Sequence, residues 1–257
     1  MKLRKISVAV AFLVFEVLIG ALIVGMFFLS GGALDQQSLP QAPQSEVEPQ
    51  QTPARRGCVV IIDAGHGGED GGAIGVTGLV EKDLNLDLAK RLCALLEAEG
   101  VSVIMTRTED VLLYDRNANY EGRKKVLDLA ARQAIGDKYP DALFISLHAN
   151  TFPQEKYHGL QIWYSPNHPK SATLAEALRS EVVSALQPDN HRQSKAAGSN
   201  IFLLENLQQP AVLVECGFLS NTVECQALED SSYRQSLAQA LCQGILAYYE
   251  SDTTQTP

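Results

Sequence analysis

The stretch Val59-Val60-Ile61-Ile62-Asp63-Ala64-Gly65-His66-Gly67-Gly68 limits what this chain can fold into more than any other. Four consecutive β-branched residues followed by a turn favour a buried strand, most simply a central strand of an α/β sheet. In such sheets the functional loops lie beyond the carboxyl ends of the strands. Glycines at 65, 67, 68, 71 and 72 let the backbone turn sharply and approach whatever His66 holds. His66 therefore reads as a loop ligand on a rigid base. The alternative is a histidine satisfied by hydrogen bonds within a tight turn.

The first quarter of the chain does not read as globular. Residues 1–5 are basic, and residues 6–29 form an apolar run interrupted only by Glu16. The run matches the roughly 20 residues that span a bilayer and exceeds the ~7–15 of a signal-peptide core. It is expected to be a transmembrane signal anchor, with the basic end inside and the remainder extracytoplasmic at the cell membrane. Cleavage near Ala33, after Gly31-Gly32, would instead give a secreted form. Residues 30–56, rich in Gln, Pro, Ser and Glu from Leu34 onward, read as a disordered linker. One folded unit is expected over residues 57–250, long enough for a single sizeable core, with a disordered tail over 251–257.

The formal charge of −9 argues against a nucleic-acid partner and against a broad basic patch for anionic lipid. The five cysteines, at 58, 93, 216, 225 and 242, contain no CxxC pair. Cys93 and Cys242 fall at apolar helical positions and read as core residues. A disulfide is compatible with export, but the spacing does not require one.

Glu81 opens an amphipathic helix carrying Leu84, Leu88, Leu92, Leu95 and Leu96 and ending at Gly100. A carboxylate in a first turn is favourable to the helix dipole without any ligand. It can also converge with His66 if the helix starts beside the strand end. Further strands are expected at 101–106, 142–147, 159–164 and 211–214. Helices are expected over 119–135, where Val126, Leu127, Leu129, Ala130 and Ile135 stand among Arg and Lys, over 171–186 and over 232–249, with 188–200 a polar loop. The strand at 142–147 ends at His148, repeating the theme of His66. Together with Glu81 the two histidines make a His, Glu, His set of the kind that holds catalytic zinc and leaves a fourth position for water. His158, His168 and His191 fall in polar loops, where any of them could contact substrate. The last strong strand ends at Glu215, a candidate general base; the alternative is a structural carboxylate paired with a cation such as Arg107.

IIDAGHGGEDGGAIG, the Glu81-Lys82-Asp83 helix start, SLHAN and PAVLVECGFLSN stand in an order and separation that resemble the zinc-dependent N-acetylmuramoyl-L-alanine amidases of the type-three family. The resemblance covers about residues 57 to 250. It implies an α/β domain with a mixed, mostly parallel β-sheet flanked by helices on both faces. It also implies one Zn2+ held by His66, Glu81 and His148, with Glu215 as the catalytic carboxylate. The implied substrate is peptidoglycan, cut between N-acetylmuramic acid and L-alanine. GSNIFLL before PAVLVECGFLSN further resembles the sporulation and germination-specific members, which implies a role in spore cortex. A carboxypeptidase or deacetylase of wall polymer would keep the metal set and cut a different bond. A binding module without catalysis would be expected to have lost a site residue, and none is missing. An activator protein is a further partner compatible with this reading.

Overall fold

Strand polarity and alternation explain how this sequence builds its site. The computed structural model describes residues 58–115, 117 and 122–253. The elements run β1 (Val59–Ala64), α1 (Glu81–Ala98), β2 (Ser102–Met105), α2 (Lys124–Asp137), β3 (Leu143–Asn150), β4 (Gln161–Tyr164) and α3 (Lys170–Leu186). They continue with β5 (Lys195–Ala196), α4 (Phe202–Asn206), β6 (Ala211–Phe218), α5 (Thr222–Glu229) and α6 (Ser231–Thr253). The strands form one six-stranded sheet in the order β2-β1-β3-β6-β4-β5. Every pairing is parallel except β4 with β6. The expected mixed, mostly parallel sheet is thus observed.

Side chains alternate across the sheet. Val60 and Ile62, Leu143, Ile145 and Leu147, and Val212 and Val214 point into one core with α1, α3 and α6. Ile61, Phe144, Ala211 and Leu213 point the other way, against α4 and the partly buried Leu129 and Ile135 of α2. Helices therefore cover both faces, as a sheet with buried parallel strands requires. On α1, Leu84, Leu88, Leu92 and Leu96 recur every fourth residue and are essentially inaccessible. Burying a leucine contributes about 1.5–3 kcal/mol relative to leaving it exposed, so this one stripe holds the helix on the sheet. Gly100, at φ +75°, then turns the chain into β2.

The second helix departs from expectation. It begins at Lys124, and its buried stripe is Asp128, Arg132 and Gly136, while Val126 is 56% exposed. A polar seam runs beside its partly buried Leu129 and Ile135 because Arg132 reaches through to the sheet. Its Nη1 donates to Asp63 Oδ1 at 2.6 Å and its Nε to Asp128 Oδ2 at 2.8 Å. Gly136 is needed where it stands, since a Cβ there would crowd the Leu207 and Gln209 side chains.

Two strands run further than their apolar stretches. Pairing of β3 with β6 continues through His148↔Glu215 to Asn150↔Phe218, with an irregularity between the last two rungs. His148 and Glu215 consequently sit inside strands rather than in loops past their ends. The final helix runs to Thr253, beyond the expected boundary at residue 250. All five cysteines are free thiols. No helix among the described residues is long and apolar enough to cross a membrane, and the expected span at 6–29 and linker at 30–56 lie outside those residues.

The polar seam generates a test. Arg132→Met leaves Asp63 and Asp128 buried without their cation and should destabilise the fold by about 3–5 kcal/mol, whereas the exposed Val126→Ala should stay within about 0.5 kcal/mol. Equilibrium denaturation of both variants checks this; a larger loss at Val126 than at Arg132 would contradict the role given to the polar seam.

Candidate metal centre

On the face that carries Ile61, Phe144 and Leu213, the side chains turn polar toward the carboxyl ends of the strands. Asp63, Ser146, His148 and Glu215 follow there in the same alternation. The parallel register sets Asp63 beside Ser146 and His148 beside Glu215. His66 joins them from the loop two residues past β1. Its backbone lies in the left-handed region, at φ +62°, the one described non-glycine residue to do so. Such a conformation is unfavourable by the order of 1 kcal/mol or more and persists only where the surroundings hold it.

The surroundings are two buried arginines. Arg107 donates through Nε to Ala64 O at 2.8 Å and through Nη2 to Gly65 O at 3.0 Å. Arg132 donates to Ala64 O at 2.8 Å and His66 O at 2.7 Å. Asn85 adds a bond to Gly65 O at 3.2 Å. Three successive carbonyls are thereby fixed from below. Asp63 balances Arg132: burial alone would raise its pKa, but the Arg132 charge and hydrogen bonds from Ser146, Arg132 and Thr106 outweigh that and hold it below its ordinary value. Lys82 staples the outer part of the loop, donating to Gly68 O at 2.8 Å and Asp110 at 2.6 Å, while Asp110 accepts from Gly68 N at 2.7 Å.

Glu81, buried at the start of α1, is the hub. Its Oε1 lies 3.1 Å from His66 Nε2 and 3.0 Å from His148 Nδ1, and accepts from Ala149 N at 3.1 Å. Its Oε2 accepts from Ala73 N at 2.8 Å. The two imidazoles meet edge to face, with centroids 4.9 Å apart. Burial opposes ionisation of Glu81, yet the hydrogen bonds and charges of His148 and His66 keep it ionised well below the usual carboxylate range. Burial likewise works against protonation of His66, but Glu81, and after it Asp70, raise its pKa above the usual value. Asp70 Oδ2 stands 3.0 Å from His66 Nδ1 without hydrogen-bond alignment, so that buried nitrogen has no hydrogen-bond partner.

His66, Glu81 and His148 each offer one ligand atom, and these lie within 4.8 Å of one another. Two imidazoles and a carboxylate are the donor types that suit zinc, and tetrahedral bonds of about 2.0–2.1 Å would set neighbouring ligand atoms roughly 3.3 Å apart. The 3.0 and 3.1 Å separations from Glu81 Oε1 are near that spacing, and the whole set lies within 4.8 Å. A shared cation would replace the two His–Glu contacts and remove the advantage of protonating the rings.

Glu215 stands next to this set without belonging to it. Burial pushes its pKa up to about 7; the His148 charge pulls it down, the Glu81 charge pushes it up, and His66 pulls it down again. Its Oε2 is buried and has no hydrogen-bond partner. Arg107 is engaged with backbone carbonyls, so the structure does not support the cation-pairing alternative for Glu215. Glu215 and His148 form the floor of a cavity of about 440 Å³ walled by Trp163, Phe202 and Leu213, with Lys125 and Asn200 also lining it. Of the three other histidines, His158 and His191 are exposed and His168 is half-buried. Asp63, Ser146, Asp128 and Arg132 support the site, and sequence reading missed them. The available signal was a polar residue interrupting each apolar strand.

A family model described as N-acetylmuramoyl-L-alanine amidase matches residues 60–247. The chain is 34% identical over 193 residues to the germination-specific N-acetylmuramoyl-L-alanine amidase of Bacillus subtilis, covering 75% of this chain and 80% of that protein. It is similar to the CwlD amidase of Clostridioides difficile, solved in complex with the GerS lipoprotein, at 37% identity and a TM-score of 0.72, covering 76% of this chain and all of that one. The amidase AmiC2 of Nostoc punctiforme matches at 29% identity and a TM-score of 0.65, over 76% and 98% of the two chains.

Gly65 allows the His148 ring its place, because a methyl group at residue 65 would overlap that imidazole. Gly65→Ala should displace the ring and destabilise the fold by about 1–3 kcal/mol, as overpacking does. A crystal structure and a denaturation curve of the variant check this; an undisturbed His148 would contradict the packing argument.

Proposed function

The chain belongs to the N-acetylmuramoyl-L-alanine amidase family, and on that premise we propose that it hydrolyses peptidoglycan with a zinc ion held by His66, Glu81 and His148 and with Glu215 as the catalytic carboxylate. The observation that carries the reading is the convergence of three ligand atoms beside a half-buried carboxylate, one oxygen of which is buried without a hydrogen-bond partner, in the lining of a cavity. The bond cut is the amide joining the lactyl group of N-acetylmuramic acid to L-alanine. The carboxypeptidase, deacetylase and binding-module alternatives are set aside by the family match.

A zinc ion in this set supplies Lewis-acid polarisation of the amide carbonyl and acidifies water. The chain's own residues do the rest. Glu215, in register with His148 and with one oxygen free of hydrogen bonds, accepts the proton of the attacking water and delivers it to the departing alanine nitrogen. Oxygen adds to the lactyl carbonyl carbon, the C–N bond breaks, and the products are a carboxylic acid and an amine. Burial, which pushes the pKa of Glu215 up to about 7, keeps this carboxylate able to take and return a proton. Trp163, Phe202 and Leu213 keep water away from the reacting amide and wall the groove in which the polymer lies.

Likeness to the germination-specific amidase supports a role in spore cortex. The CwlD amidase was solved with a lipoprotein, which supports a protein activator for this chain too. The basic residues 2–5 and the apolar run at 6–29 support single-pass attachment to the cell membrane with the domain outside, where the polymer is; cleavage near Ala33 is the alternative route to the same compartment. Residues 57–250 then form the catalytic domain.

The purified full chain should hold about one zinc, and His66→Ala, Glu81→Ala and His148→Ala should each release it on dialysis against a chelator that the native chain withstands. Glu215→Gln should keep its zinc and its melting temperature while kcat falls ~10²–10⁴-fold, since the amide matches the carboxylate in size but cannot take the proton. Zinc analysis, melting and turnover on one preparation decide between the roles. Retention of zinc by His148→Ala at native affinity would remove the ligand assignment. A zinc-loaded Glu215→Gln enzyme with near-native turnover would remove the catalytic one.

A further inference from the structure

A second cavity, of about 310 Å³, opens where β4 begins and is lined by Lys156, Tyr157, His158, Asp189, His191 and Arg192. In a chain of formal charge −9 it gathers two permanent cations and two histidines against one carboxylate. Arg192 donates its Nε to His158 O at 2.8 Å and lies over the rings of Phe218, at 4.7 Å, and Tyr157, at 5.8 Å. Among the described residues no carboxylate forms an ion pair with Arg192 or Lys156, although the Arg192 charge acts on the half-buried Glu224 behind the cavity.

The frame around this cavity is rigid. Asn190 is buried, donates to Leu160 O at 3.0 Å, and packs so closely on Gly159, at φ +90°, that a Cβ there would stand 2.7 Å from it. Gln161 donates to Gln193 O at 2.9 Å. Glu224 accepts from Gly159 N and Phe218 N, each at 2.8 Å, tying the loop to the end of β6. Its position relative to the metal centre follows from the register. Gln161 pairs with Glu215, His158 comes three residues before Gln161, and Phe218 comes three after Glu215. At ~3.3 Å per residue this register sets His158 and Phe218 about 10 Å along the strands from the level of Glu215.

An extended peptide covers that distance in about three residues. We propose that this cavity binds a free carboxylate of the stem peptide, two or three residues beyond the L-alanine at the scissile amide, an inference that rests on the amidase reading above. Arg192 supplies the planar fork and Lys156 a mobile point charge. Asp189 lowers the net charge of the cavity, which suits one carboxylate better than a polyphosphate.

The test uses the full chain, a stem tripeptide with free carboxylates and the same tripeptide fully amidated. In calorimetric titration the native protein should bind the acid about tenfold more tightly than the amide, and R192Q and K156Q should each reduce that preference toward none. On muramoyl-peptide substrates, R192Q should raise KM about tenfold for the free acid, leave kcat within about twofold, and change neither for the amidated substrate. Lys156 is exposed, so K156Q keeps the question open to measurement even if R192Q fails to fold. Equal native affinity for acid and amide, or an undiminished preference in the variants, overturns the proposal. Should the native chain cleave neither substrate, the amidase reading falls, and the titration still decides whether the cavity binds carboxylate.

Discussion

Two buried guanidinium groups hold the carbonyls of residues 64 to 66, and the His66, Glu81 and His148 cluster depends on that grip. The loop after β1 must present His66 at a positive φ, turn through glycines, and return to α1 at Glu81. Glycines permit such a path without enforcing it, because the freedom that makes them useful also makes them entropically unfavourable to order. Arg107 and Arg132 enforce it with four hydrogen bonds to backbone. Burying two like charges side by side is unfavourable unless they are compensated. Asp63 and Asp128 do so for Arg132, and Ser146 and Thr106 complete the shell of Asp63. This polar layer occupies positions that an α/β core would otherwise fill with aliphatic side chains.

The rest of the centre follows from strand register. Alternation puts His148 and Glu215 on the same face as Asp63, and parallel pairing of β3 with β6 sets them side by side. The cavity wall comes from the antiparallel strand β4, through Trp163, and from the short helix α4, through Phe202. Reversal of one strand brings the loop before β4 to the same sheet edge as His148 and Glu215.

Much of this was legible in the sequence, for identifiable reasons. Apolar strands terminating in His66 and His148, the Glu81 helix start and Glu215 all stood out because chemistry-bearing residues followed runs of unambiguous periodicity. The leucine stripe of α1 was legible on the same grounds. The second helix was legible as a helix carrying apolar residues among Arg and Lys, but its buried stripe of Asp128, Arg132 and Gly136 was not. A buried ion-pair network leaves no hydrophobic period to detect. The true ends of β3 and β6 were hidden too, because pairing partners extend a strand past its apolar residues. Arg107 looked like a counter-ion for Glu215, yet a guanidinium can equally be satisfied by carbonyls, and sequence cannot tell a carboxylate partner from a backbone one. The two-residue β5 and five-residue α4 are too short to carry a periodic signal.

The central claim is that this site hydrolyses the lactyl–alanine amide of peptidoglycan. Mass analysis of muropeptides after digestion of purified peptidoglycan with the zinc-loaded chain tests it most directly. The account predicts intact stem peptides bearing a free N-terminal alanine, together with glycan whose muramic acid carries an unsubstituted lactyl carboxylate. Stem peptides shortened at their carboxyl end but still attached to glycan, or sugars that have lost an acetyl group, would contradict it.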